Sequence, residues 1–219
     1  GSRKFIFHIG NTPAAKAKAP SDEVFKGIKY FHIMGCSLMA STEFGNEIVK
    51  TMKAAQKQGA KVSFDPNIRA ELLKNKESLA LVDNVLANTS VLMPGVSELL
   101  MICGESSIES AVKKCFENDI LEIIVLKNGS KGCRIFTRDH EYSMGIYKVD
   151  AVDTTGAGDS FDGAFISGLC DGMEINDIIK QSTAAAALNT AAFGPMEGKI
   201  NKSNILKMTR ENEECIQTA

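Results

Sequence analysis

The feature that most restricts this chain's fold is the alternation of short apolar runs with helix-length periodic segments up to about Lys127. Lys4–Ile9 reads as a strand, followed by a loop holding Gly10, Pro13 and Pro20. Tyr30–Met34 is a short apolar run, and Glu43–Gln58 follows with helical spacing at Ile48, Met52 and Ala55. Lys61–Phe64 is a second run, ended by Asp65-Pro66-Asn67. Glu77–Ala87 is helical through Leu81 and Val85, and Ser90–Met93 is a strand stopped by Pro94-Gly95. Helices over Ser97–Cys103 and Ile108–Asn118 lead into Glu122–Leu126, a run rich in Ile and Val. Strands separated by helices of about ten residues or more predict a parallel sheet covered on both faces.

The pattern then changes. Cys133–Thr137 and Tyr142–Val149, with Arg138-Asp139-His140 between them, predict an antiparallel hairpin. The remainder is helical over Asp159–Cys170, Ile175–Ala192 and Ser203–Cys215. Ala184–Ala187 favours helix and predicts close helix packing. The expected class is α/β.

Composition narrows the function. The chain has 219 residues, 44% of them hydrophobic, so it can bury a proper core and is not expected to be disordered. Its 25 basic against 27 acidic residues give no reason to expect nucleic acid as a partner. No apolar run of about 18 residues is present, so no membrane span is expected. Six cysteines stand singly without a Cys-x-x-Cys pair, which predicts reduced thiols in a cytoplasmic protein, neither a disulfide frame nor a zinc site. His8, His32 and His140 share no ligand spacing.

The chemistry concentrates in Val152-Asp153-Thr154-Thr155-Gly156-Ala157-Gly158-Asp159-Ser160-Phe161. This stretch follows an expected strand and opens a helix whose apolar face holds Phe161, Phe165 and Leu169. Small residues at a helix start let backbone N–H groups converge, and the helix dipole makes that point an anion site. Asp159 there is either a residue matching the dipole or a base that takes a proton from a hydroxyl attacking a phosphoryl group. A P-loop would place Lys-Ser/Thr after the last glycine, where Asp159-Ser160 stands. A dinucleotide loop would place its third glycine at Phe161. Neither fits.

Asp153-Thr154-Thr155-Gly156-Ala157-Gly158-Asp159-Ser160-Phe161 closely resembles the C-terminal signature of the ribokinase-like (phosphofructokinase B-type) carbohydrate kinases. That resemblance implies a three-layer α/β/α sandwich with a mostly parallel central sheet. It implies Asp159 as the base for a sugar hydroxyl and Gly156, Ala157 and Gly158 as the anion hole. Asp153 and Thr155 match the Asp-x-Thr beside the family's monovalent-cation site, which would take K+; on the residues alone, Asp153 equally caps a turn. Phe64-Asp65-Pro66-Asn67-Ile68-Arg69 is similar to the Asp-x-Asn-x-Arg element of the ketodeoxygluconate kinase and fructokinase branch. Arg69 would then lie near the transferred phosphate and the sugar, with Asn67 toward the nucleotide; its other reading is a surface arginine after a turn.

Lys127-Asn128-Gly129-Ser130-Lys131-Gly132 resembles the strand-end loop that contacts ATP, giving Lys127, Asn128, Gly129 and Gly132 as candidates. Met93-Pro94-Gly95-Val96-Ser97-Glu98 resembles the Asn-x-x-Glu element linked to Mg2+ and phosphate. Gly95 replaces its asparagine, so only Glu98 is carried over, through water or phosphate; an ordinary helix-start carboxylate is the alternative. Ala191-Ala192-Phe193-Gly194 resembles the stretch bordering the nucleotide and cation sites, which adds Gly194.

Arg3–His8 resembles a lid strand that in ketodeoxygluconate kinases ends in an arginine for the sugar acid's carboxylate. His8 stands in that place as a candidate substrate residue, and imidazole is the weaker carboxylate partner, which tilts the expectation toward a neutral ketose. The expected organisation is a lid-strand remnant over 1–12 and a kinase core over 13–219, with the family's N-terminal third absent. A homodimer through lid strands is expected of the full-length form. The expected partners are a small-molecule sugar and ATP. A nucleoside kinase of the same superfamily, or a non-catalytic nucleotide- or sugar-binding relative, remains an alternative.

Overall fold

The computed structural model describes residues 12–68 and 76–211. The chain divides into two compact units, Gly1–Ile124 and Val125–Ala219. The expected strand Lys4–Ile9, the candidates His8 and Arg69, and nearly all of segment 1–12 lie outside the described residues.

The first unit is built from strand–helix repeats. β1 (Tyr30–Met34) is followed by the short α1 (Gly35–Leu38) and by α2 (Thr42–Lys57), whose N-cap Ser41 accepts the Phe44 N–H at 3.2 Å. Then come β2 (Lys61–Asp65), α3 (Lys76–Ala87), β3 (Val91–Leu92), α4 (Val96–Cys103), α5 (Ile108–Cys115) and the start of β4 (Ile123–Lys127). β1 and β2 pair in parallel from Tyr30↔Lys61 to Met34↔Asp65. β2 pairs with β3, and β3 with β4, also in parallel. Val62, Ser63, Phe64 and Asp65 are all buried, as in a strand covered on both faces, so β2 shows no polar–apolar alternation. Met52, Ala55, Val85 and Leu99 close over the strands from the helices. Gly35 is needed for the turn after β1, because a Cβ there would lie 1.8 Å from the Pro66 carbonyl oxygen.

The second unit holds the end of β4, the hairpin β5 (Cys133–Phe136) and β6 (Glu141–Met144), and the helices α6 (Ala157–Asp171), α7 (Ile175–Thr190) and α8 (Lys202–Glu211). The hairpin register runs from Cys133↔Met144 to Phe136↔Glu141. α6 and α7 approach closely at Gly168, where a Cβ would meet Ile178 and Gln181 side chains within 2.7 Å. Ala184, Ala185 and Ala187 are buried, as expected of a packing run. Strand order in the sheet follows chain order from β1 to β6, mostly parallel with the antiparallel hairpin last. With its flanking helices this is an α/β sandwich.

Several boundaries differ from expectation. The second hairpin strand stops at Met144 instead of Val149: Gly145 follows, and Tyr147 is buried beyond the strand's end. β3 covers only Val91–Leu92, because Pro94 has no N–H to carry the ladder onward. α5 ends at Cys115, not Asn118, where the chain turns through Phe116 and Asn118. α6 begins two residues before Asp159.

Candidate active site

The site in the second unit grows from the turn entering α6. Gly156 is the N-cap with φ 76°, a left-handed conformation that side-chain-bearing residues rarely adopt. A Cβ on Gly156 would also lie 2.4 Å from the Pro195 carbonyl oxygen. The Ser160 N–H makes the first helical bond, to the Gly156 carbonyl at 2.9 Å. The amides of Ala157, Gly158 and Asp159 precede that bond and have no partner within the helix. Ala157 donates to the Thr154 carbonyl at 3.3 Å. Were an anion bound at this helix start, the Gly158 and Asp159 amides would meet it first. Asp159 is exposed in this first turn.

Asp153 organises the turn itself. Its Oδ1 accepts the Thr155 N–H at 2.9 Å and the Thr155 Oγ1–H at 2.7 Å, and its Oδ2 accepts the Gly194 N–H at 3.2 Å. Asn189 Nδ2 donates to the Thr155 carbonyl at 2.7 Å, and the Val152 N–H to the Thr190 carbonyl at 2.9 Å. The turn is thus clamped to the end of α7 and to the Gly194 loop. Gly194 acts here through Asp153 and does not border the cavity described next.

Beside the α6 start lies a cavity of about 640 Å³, within the size range of small-ligand sites. Lys127, Gly129 and Gly132 wall it from the strand-end loop, Tyr147 from the segment after β6, and Thr183 and Ala187 from α7. Ala157 and Gly158 form its edge at the helix start. Asn128 does not line it: its backbone closes the loop instead, donating to the Gly132 carbonyl at 2.8 Å. Cys133 borders the cavity, and burial pushes its thiol up to about 11.

Lys127 makes a contact that motif reading missed. Its Nζ lies 2.7 Å from Asp162 Oδ2, with side-chain exposures of 18% and 1%. The signal in the sequence was a charged residue between Phe161 and Phe165, on the face of α6 that had to be buried. Tyr147 and the α7 wall were also missed. Nothing in their residue types distinguishes cavity lining from core.

The remaining candidates lie in the first unit. The Asn67 backbone is left-handed at φ 38°, and its N–H donates to Asp65 Oδ1 at 3.1 Å. Glu98 Oε1 accepts the Ile68 N–H at 2.8 Å, and Oε2 accepts the Gly95 N–H at 2.7 Å. Glu98 therefore ties the loop after β2 to the start of α4. Among the described residues no three His, Cys, Asp or Glu side chains cluster as a metal site. No helix among them is long and apolar enough to cross a membrane.

These features can be set beside known proteins. The profile of the pfkB family carbohydrate kinases matches residues 1–202. Probable fructokinase-4 of Arabidopsis thaliana is 27% identical over 224 residues, covering 97% of this chain and 68% of that protein. An E. coli protein provisionally named ribokinase II, solved with ATP and Mg2+, superposes with a TM-score of 0.90 at 31% identity, covering 96% of this chain and 68% of its own. Fructokinase from Vibrio cholerae O395, solved with fructose, ADP and calcium, gives a TM-score of 0.72 at 26% identity, covering 84% and 61%. The chain spans 61–68% of the length of these three relatives. The signature at α6, the ribokinase-type fold and the profile match agree: the chain belongs to the pfkB family of carbohydrate kinases.

Proposed function

We propose that this chain carries the phosphoryl-transfer machinery of an ATP-dependent sugar kinase acting on a primary hydroxyl. The observation that carries this reading is the start of α6. There Gly156 is held left-handed, Ala157 and Gly158 edge a cavity of about 640 Å³, and Asp159 stands in the same turn.

The roles follow from that arrangement. The cavity between the Lys127–Gly132 loop and α7 takes the nucleotide. The Gly158 and Asp159 amides, with those of Gly156 and Ala157, take the charge that builds on the transferred phosphoryl oxygens. Asp159 receives the hydroxyl proton as the sugar oxygen attacks, which makes it the general base. Arg69 supplies a guanidinium to the phosphate and the sugar. Mg2+ would draw most of its ligands from phosphates and water, with Glu98 acting through one of these, because no protein cluster is present among the described residues. Asp153 and Thr155 would flank a K+ site, the negative charge of Asp153 favouring a cation. The fructokinase names among the relatives support a ketose such as fructose or tagatose over a keto-deoxy sugar acid.

The test is ADP release from the complete gene product with fructose, tagatose, ribose, ketodeoxygluconate and adenosine, with and without K+. Asp159→Asn is expected to lower kcat by at least about a hundredfold. A near-wild-type rate in that variant would sink the mechanism. Preference for adenosine would move the protein to the nucleoside kinases, and ATP binding without transfer would make it a non-catalytic relative.

A further inference from the structure

We infer that Asp162 is a positioning residue that holds the Lys127 ammonium beside the first turn of α6 as a cation for the nucleotide's phosphates. The inference rests on the kinase reading above. Lys127 is the last residue of β4, and its side chain is largely buried against Asp162, one helical turn beyond Asp159. Lys127 Nζ stands 3.9 Å from the point a Cβ on Gly158 would occupy. The ammonium is therefore a neighbour of the helix-start amides, and a side chain at 158 would crowd it.

That placement is electrostatically peculiar. A helix N-terminus carries partial positive charge, so an ammonium beside it is repelled. Taking both ions out of water adds a desolvation cost, and a pair kept only for packing is commonly replaceable by apolar residues of similar volume. Asp162 compensates the ammonium from within the helix. An arriving phosphate would then meet two positive features at once, the amides and a lysine already fixed in place. The lysine needs no search through rotamers, so ordering it costs little on binding.

Three variants of the complete protein test this. Asp162→Asn leaves the charge at Lys127 but removes its anchor; kcat/KM for ATP should fall about tenfold. Lys127→Met/Asp162→Leu removes both charges and keeps the bulk. It should fold with a melting temperature near wild type, yet lose about a hundredfold in kcat/KM for ATP, the scale seen when one oxyanion donor is removed. Lys127→Gln/Asp162→Asn serves if the apolar pair does not fold. Lys127→Arg should retain more activity than either double variant. Retention of wild-type turnover by a folded double variant would overturn the inference, and so would an unaffected Asp162→Asn. If the wild type transfers no phosphate to any sugar, the kinase reading fails by itself. Calorimetric binding of ADP and of pyrophosphate then decides the Lys127 role: at least about tenfold weaker binding in the double variant supports it, and unchanged affinity overturns it.

Discussion

At the scale of single residues, the start of α6 depends on a backbone conformation at Gly156, φ 76°, that side-chain-bearing residues rarely adopt. Gly156, Gly158 and Asp159 sit in one continuous turn, so the motif they form could be read in order along the chain. Asp162 could not, because its partner Lys127 is 35 positions away and only folding joins them. Gly156 gives a sharp prediction. Gly156→Ala forces a left-handed alanine, which costs about 1–2 kcal/mol, and drives its Cβ into the Pro195 carbonyl oxygen. Urea denaturation should show at least that loss, and kcat should fall with it because the Gly158 and Asp159 amides are displaced. An unchanged midpoint would mean that the turn tolerates a side chain after all. Cys133 gives a pH prediction. Burial raises its thiol from 9.0 to about 11, so the unfolded chain ionises there while the native chain keeps its proton. Nothing is lost below pH 9; as pH climbs from 9 to 11, stability falls by up to about 1.4 kcal/mol per pH unit. Cys133→Ala should remove that part of the slope, read as the difference between two urea series over pH 8–11. Equal slopes would show that Cys133 titrates normally.

At the scale of elements, the helices and buried strands were legible because their periodicity is long or their apolar runs dense. The ends were not: Pro94 cut β3 short and Gly145 cut β6 short. Glu98 shows how one residue supports two readings, since its motif points to Mg2+ while its hydrogen bonds point to the element. Both carboxylate oxygens accept backbone N–H groups, from Ile68 and Gly95. Glu98→Ala should therefore cost about 1–3 kcal/mol in a denaturation experiment, whereas Glu98→Gln, which keeps one good acceptor, should cost less. Stability unchanged in both variants would leave only the ligand-facing role. Spacing also failed for the cysteines. Cys103 and Cys115 look solitary in sequence, but the packing of α4 against α5 brings their Sγ atoms to 3.2 Å. The Cys103 thiol is held below its ordinary value, chiefly by its hydrogen bond with Cys115. With a mild oxidant such as diamide, a Cys103–Cys115 crosslink should appear first among cysteine peptides by mass spectrometry. Earlier crosslinking of Cys36 or Cys170 would refute that ordering.

At the scale of the whole molecule, the family was legible because several short motifs occur in the right order, each weak except the one at α6. The sugar was not, because the sequence signal bearing on it was His8 in the place of an acid-binding arginine, and imidazole against guanidinium as a carboxylate partner is a difference of degree. The cavity of the second unit is better defined, and under the kinase reading it makes a regional prediction. All the residues lining the cavity of about 640 Å³ belong to the unit Val125–Ala219. A ligand that binds only the folded state stabilises it by about 2.7 kcal/mol at a hundred times its Kd. That stabilisation should slow local opening most where the ligand touches. Hydrogen exchange of the complete protein with ADP and Mg2+ should therefore show added protection over 127–133, 146–149, 154–159 and 183–190. The first unit's strands β1 and β2 should change much less. Protection centred on β1 and β2, with the α6 start unchanged, would place the nucleotide elsewhere and remove the basis for assigning Lys127, Gly129 and Gly132 to it.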